Sequence, residues 1–213
     1  MRLTTGQAAG ELGVTGAPLR KLVQTGLVPG VLNRPRGQVF PLEALQALKT
    51  APHTDLSLLP VAQLAVLRIG PAMPVVGDEG EDRAWLGFGT QLTPHEILHA
   101  SNRWWRCDPS RVAEGRVLPV TVCGFVVAVL VDLNDWVDNG EPATLRRFHF
   151  TGARLAGYVT DLTSPEGHVL LPGVDAEDQK LAAQLLGSRL PSQSGGPIAY
   201  VPAGPAVVHE GVS

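Results

Sequence analysis

Beyond the first fifty residues, the stretch SNRWWRCDPSRVAEGR, residues 101–116, concentrates the side chains best able to do chemistry. Arg103, Arg106, Arg111 and Arg116 supply cationic donors near Trp104 and Trp105, a combination that can pair an anion while presenting an aromatic face to a ligand. RRFHF, residues 146–150, can add two guanidinium groups and an imidazole. Arg103, Trp104, Trp105, Arg106, Arg146, Arg147 and His149 are therefore the candidate ligand-binding residues, with a nucleotide or modified base as the kind of molecule they suit. A structural role competes with this reading and is the stronger one: two tryptophans can anchor a core or an interface while arginines cover its edges.

Catalysis has less support. Asp108, Asp132, Asp135 and Asp161 offer carboxylates and His99 or His149 a base, but no spacing makes any pair converge, so no catalytic residue is assigned. Cys107 becomes a nucleophile only where its surroundings favour the thiolate. Cys123 sits among apolar residues and is expected to pack in the core. His95 and His99 fit one helical face but lack further ligands at motif spacing, so no metal is expected. Gly195 and Gly196 can let a ligand approach backbone amides. Their surroundings contain neither GxxxxGK[ST] nor GxGxxG, so a hinge or connector is favoured there and no cofactor is expected.

A chain of 213 residues that is 44% hydrophobic and 17% charged can bury a substantial core, which excludes a wholly disordered protein. The formal net charge of -3 carries no global nucleic-acid signature, yet the charge is uneven. Residues 1–50 hold six Lys/Arg against two Asp/Glu, leaving eleven cations and eighteen acids in the rest. Two cysteines are too few for a disulfide framework. The start lacks a signal-peptide pattern, and the apolar run at 117–131 is short of the roughly 20 residues a membrane helix needs. Cytoplasmic placement is the default expectation, nucleoid-associated if the chain binds DNA.

The basic excess coincides with a regular pattern. In LTTGQAAGELGV, Thr5 is placed to cap a helix near Gly6 to Leu12, with Ala8, Ala9 and Leu12 on its apolar face. Gly13 allows a turn. Thr15 is then placed to cap a second helix near Ala17 to Thr25, with Leu19, Leu22 and Val23 inward and Arg20, Lys21 and Gln24 outward. Pro18 is tolerated in that first turn. Gly30, Pro35 and Gly37 can shape a small wing with Arg34 and Arg36 near its tip, and Val39 and Phe40 return to the core. Leu42, Leu45 and Leu48 support a closing helix.

This order of helix, turn, helix, wing and helix resembles the compact winged helix-turn-helix modules of MerR-like and excisionase-like proteins. The correspondence rests on LTTGQAAGELGV, APLRKLVQTGLVP and NRPRGQVFPLEAL, within residues 1–50. It implies that the second helix and the wing contact duplex DNA, through Thr15, Arg20, Lys21, Arg34 and Arg36. The turn GVTGAP lacks the Arg or Lys often useful there, and RKLVQ departs from the aromatic-rich continuation of many MerR-like chains.

Residues 51–60 are expected to form a linker, and 61–213 a larger mixed domain. VAQLAVLRIG fits a strand or a helix equally, the 70–82 stretch is broken by turns, and RAWLGFG suggests a short strand. A helix is expected to begin near Thr93, with Pro94 at its start and Glu96 completing a capping arrangement. RVLPVTVCG and FVVAVLVDL are strand candidates, and DAEDQKLAAQLLGSRL has helical periodicity. The expected class is α+β, a winged helix-turn-helix followed by a larger mixed α/β domain, with a small barrel as the alternative. The expected function is sequence-specific, DNA-binding transcriptional regulation. The second domain would sense a small molecule, recruit a protein effector or form a homodimer, without membrane association. The alternatives are a nucleotide- or modified-nucleic-acid-processing enzyme delivered by the first module, and a protein-interaction adaptor.

Overall fold

A computed structural model describes residues 1–57, 59, 61–76 and 83–204. Part of the turn-rich stretch 70–82 and the end of the tail thus lie outside the described residues. β1 (Arg2–Thr4) leads into α1 (Thr5–Leu12), which is capped one residue earlier than expected. The Thr4 hydroxyl accepts from the Gln7 amide and the Gln7 side chain accepts from the Thr4 amide, so this reciprocal pair selects Thr4. Gly13, at φ 64, ends the helix in the left-handed conformation that glycine adopts without steric cost.

α2 (Gly16–Gln24) follows from Thr15, whose backbone has cap geometry but whose hydroxyl makes no capping hydrogen bond. Three residues on, Pro18 has no amide hydrogen to offer, which leaves the Ala17 amide as the remaining capping donor. β2 (Leu32–Arg34) and β3 (Gly37–Pro41) form a hairpin around Pro35 and Arg36, β1 pairs with the other side of β3, and α3 (Leu42–Thr50) closes the unit. Ala8, Ala9, Leu19, Phe40 and Leu45 are its buried centre.

The ambiguous 61–70 stretch is β4 (Gln63–Arg68). Leu64 to Leu67 are all buried, so both faces are covered and the alternation that marks a half-exposed strand is absent. Then come β5 (Met73–Pro74), β6 (Trp85–Leu86), α4 (Pro94–Ser101), α5 (Pro109–Glu114), β7 (Leu118–Val122) and β8 (Phe125–Val131). They are followed by β9 (Val137–Asp138), β10 (Phe148–His149), β11 (Arg154–Val159), β12 (His168–Leu170), α6 (Ala176–Leu185) and β13 (Ile198–Pro202). The main sheet runs β12-β11-β8-β7-β4-β13, with β4 and β7 parallel and the other pairs antiparallel. Every residue of β7 and β8 is buried. The class is α+β.

The first fifty residues are packed onto this sheet. Leu22, Leu27, Val28, Ala44 and Leu48 belong to one buried cluster with Phe88 and the sheet interior. The chain leaving α2 is pinned by backbone bonds: Thr90 N–H donates to the Thr25 carbonyl at 2.8 Å and Leu162 N–H to the Leu27 carbonyl at 3.0 Å. Beyond α3, Arg189 N–H donates to the Pro52 carbonyl at 2.7 Å and Thr54 N–H to the Arg189 carbonyl at 3.0 Å. No helix among the described residues is long and apolar enough to cross a membrane.

The capping box expected at the start of α4 is present, with Thr93 and Glu96 bonded reciprocally and Pro94 in the first turn. Hydrogen bonds from the Thr93 amide and hydroxyl hold the Glu96 carboxyl below its ordinary range. A carboxyl depressed in this way stabilises the fold above its unfolded-state pKa, and the contribution is lost as pH falls through the lowered value. Thr93→Ala is therefore expected to lower the thermal midpoint by about 2–4 °C at neutral pH, with a smaller deficit below the carboxylate range. Scanning calorimetry at two pH values checks both parts.

Candidate nucleic-acid interface and the adjoining cleft

α2 is amphipathic: Leu19 and Leu22 are buried, while Ala17, Arg20, Lys21 and Gln24 are exposed. Thr15, Arg34 and Arg36 are exposed as well, the two arginines flanking Pro35 in the hairpin turn. Arg20, Lys21, Arg34 and Arg36 form no ion pair with any described residue. The neighbouring charges differ. Lys49 holds Glu11 at 3.0 Å, and the Arg2 guanidinium donates to the Gly30 carbonyl at 2.6 Å. Four uncompensated cations are thus offered to solvent by a helix and a hairpin that a buried core holds in fixed relation. The Arg20 guanidinium folds back over the first turn, its Nη1 lying 3.3 Å from where a Cβ on Gly16 would sit.

The ligand-binding candidates around the tryptophans divide. Arg103, Trp104, Trp105 and His149 come together at the end of α4. Buried Arg103 donates from Nη2 to His99 Nδ1 at 2.8 Å, which requires a lone pair on that nitrogen, and its own carbonyl accepts from Arg83 at 2.5 Å. The Trp104 and His149 rings meet edge to face at 5.3 Å. Trp105 pairs with Phe148 across the backbone and donates its indole N–H to the Ser101 carbonyl at 2.7 Å, while its ring packs on the core. The other candidates are not drawn into that group. Arg106 and Arg147 are exposed, and Arg146 lies beside Asp138 at 3.6 Å.

Two more arginines of the same stretch turn elsewhere. Arg111 sits over the Tyr200 ring, 4.1 Å from its centroid. Arg116 is held by Asp175, Glu177 and Asp178 at the start of α6, at 3.1, 2.7 and 2.5 Å. Their positions three and eight residues after Asp108 put them on α5 and just beyond its end, where other elements compete for them.

The two thiols sit in different surroundings. Burial, with Asp108 beside it, pushes Cys107 up to about 12, far above the range in which a thiolate forms at neutral pH. Cys123 is not in the core as its neighbours suggested. It is exposed in the β7–β8 turn at φ 52, where its Sγ donates to the Pro18 carbonyl at 3.4 Å. The apolar residues around it belong to the two strands, and the connection between them carries Cys123 outward. Among the described residues no group of three His, Cys, Asp or Glu could hold a metal ion.

Sequence reasoning missed what lies on the other flank of α2. Pro18 and Lys21 form one wall of a cleft of about 1310 Å³, whose opposite wall includes Arg68, Tyr200 and the loop at residues 191–197. Arg68 donates to the Ser194 carbonyl at 2.9 Å and so fixes that loop against β4. The available signal was the SQSGGP stretch; its cationic neighbour, 126 residues earlier, is found only through strand pairing. No family model, no curated protein and no solved structure matches the chain.

Proposed function

We propose that the protein is a sequence-specific DNA-binding regulator whose first fifty residues form a winged helix-turn-helix module. The reading is carried by the four solvent-facing cations of α2 and the β2–β3 hairpin, none of them paired within the described chain. A short helix with an exposed polar face and a buried apolar one has the geometry for major-groove entry, and a basic hairpin beside it can fix register on the phosphates. Arg20 and Lys21 would read base edges or hold phosphate from α2. Thr15, whose hydroxyl makes no capping bond, would donate to phosphate, and Arg34 and Arg36 would grip the backbone. The larger region would sense a ligand, recruit a protein or assemble a homodimer. A dimer would supply the second half-site that a small reader uses to gain affinity.

The test is fluorescence-anisotropy titration of a labelled duplex pool at several salt concentrations. Binding should weaken as salt rises, because each neutralised phosphate releases counterions. In the Arg34→Ala, Arg36→Ala double variant the slope of log affinity against log salt should shrink by about two, with little change in sequence preference. An unchanged slope would remove the hairpin from the interface.

A further inference from the structure

The cleft beside α2 has a chemical character that differs from the protein as a whole. Among the described residues its charged wall residues are Lys21 and Arg68, and no acidic side chain lines it, although acids outnumber cations in the chain. Tyr200 adds an aromatic ring, and Val14, Pro18 and Pro197 add apolar surface. The loop contributes two adjacent glycines, Gly195 and Gly196. Neither Gly195 nor Gly196 has φ in the left-handed region, and a Cβ on either would meet no described atom within 4 Å. Neither a left-handed φ nor a described neighbour therefore requires glycine at these positions. Their missing side chains leave the main chain open to close approach by a bound molecule.

We propose that this cleft binds a phosphate-bearing small molecule of nucleotide size. Lys21 and Arg68 hold its phosphates, and Gly195 and Gly196 admit them close to the backbone. The volume of about 1310 Å³ is large enough to take a nucleotide or a dinucleotide. Lys21 belongs to both surfaces, so on the DNA-binding reading given above, ligand occupancy draws it from the duplex and weakens operator binding. By linkage, the duplex weakens ligand binding by the same factor.

The experiment uses the full chain and ATP, ADP and inorganic pyrophosphate as probes, in isothermal titration calorimetry at near-physiological salt. At least one nucleotide should bind, and pyrophosphate more weakly for lack of a base. Arg68→Ala and Lys21→Gln should each weaken binding by about tenfold or more. Gly195→Ala/Gly196→Ala, which no steric contact opposes, should do likewise while the thermal midpoint is maintained. That double variant keeps the test valid if Arg68→Ala fails to fold.

Duplex titration of the same proteins separates this site from the DNA reading. Arg68→Ala should retain duplex binding; its loss would make the cleft part of the nucleic-acid path and overturn the proposal. Nucleotide binding in a protein that binds no duplex would uphold the cleft and sink the DNA reading. Absence of binding by all three probes, or binding indifferent to the Gly195/Gly196 change, would overturn the cleft site while leaving duplex binding to stand by itself.

Discussion

Replacing Arg20 and Lys21 together with alanine is expected to lower affinity for a selected duplex by roughly 30- to 1000-fold. The figure corresponds to about 2–4 kcal/mol, the range for two lost side-chain contacts to bases or phosphates. The fold should survive, because both side chains are exposed and neither makes a hydrogen bond or ion pair with a described residue. Circular dichroism and the thermal midpoint would establish this before anisotropy titration is interpreted. A variant that is folded and still binds with wild-type affinity would show that α2 does not enter the groove.

The second large effect concerns how α2 is held. Leu27 is fully buried three residues beyond the helix, within the cluster that joins the first fifty residues to the sheet. Its carbonyl accepts from Leu162 N–H, and Thr25, two residues earlier, accepts from Thr90 N–H. Leu27→Ala leaves a cavity where these bonds and the apolar packing converge, at a cost of about 2–5 kcal/mol, and lowers the thermal midpoint by about 10 °C. Because the cavity borders the end of α2, duplex binding by the folded fraction should also weaken. Urea denaturation gives the stability change. A loss below about 1 kcal/mol would mean that the α2 exit is not a tightly packed anchor.

The two experiments probe different links of one chain of cause. Arg20 and Lys21 concern only what α2 presents, whereas Leu27 concerns what orients it. A parallel loss of function with unequal loss of stability is the signature that separates contact from support.

Much of the fold was legible where a local rule decided it. Ala8, Ala9, Leu19 and Leu22 placed the first two helices within about a residue of α1 and α2, since the buried faces follow helical spacing. Thr93, Pro94 and Glu96 announced α4 because a capping box is a local hydrogen-bond pattern. Local rules misled where a neighbour changed the outcome. Thr15 occupies the cap position, but its hydroxyl makes no capping bond, and Pro18 takes away one of the two amides it could bind. Cys123 reads as core by composition yet sits in the turn between two buried strands.

The site was legible only in part, for a different reason. That Arg20, Lys21, Arg34 and Arg36 would be exposed follows from amphipathic spacing and turn residues. Where Arg111 and Arg116 go does not, because each is claimed by a partner distant in sequence: Tyr200 for one, and Asp175, Glu177 and Asp178 for the other. The cleft was hidden for the same reason, since Lys21, Arg68 and the 191–197 loop meet only after β4 has paired with β13 and α2 has docked.

The most direct measurement is selection of duplexes by the purified protein from a random-sequence library at near-physiological salt, with sequencing of the recovered DNA. A reproducible enriched motif that is lost in the Arg20→Ala, Lys21→Ala variant is the expected result. Recovery of unenriched sequence by protein shown to be folded would contradict it.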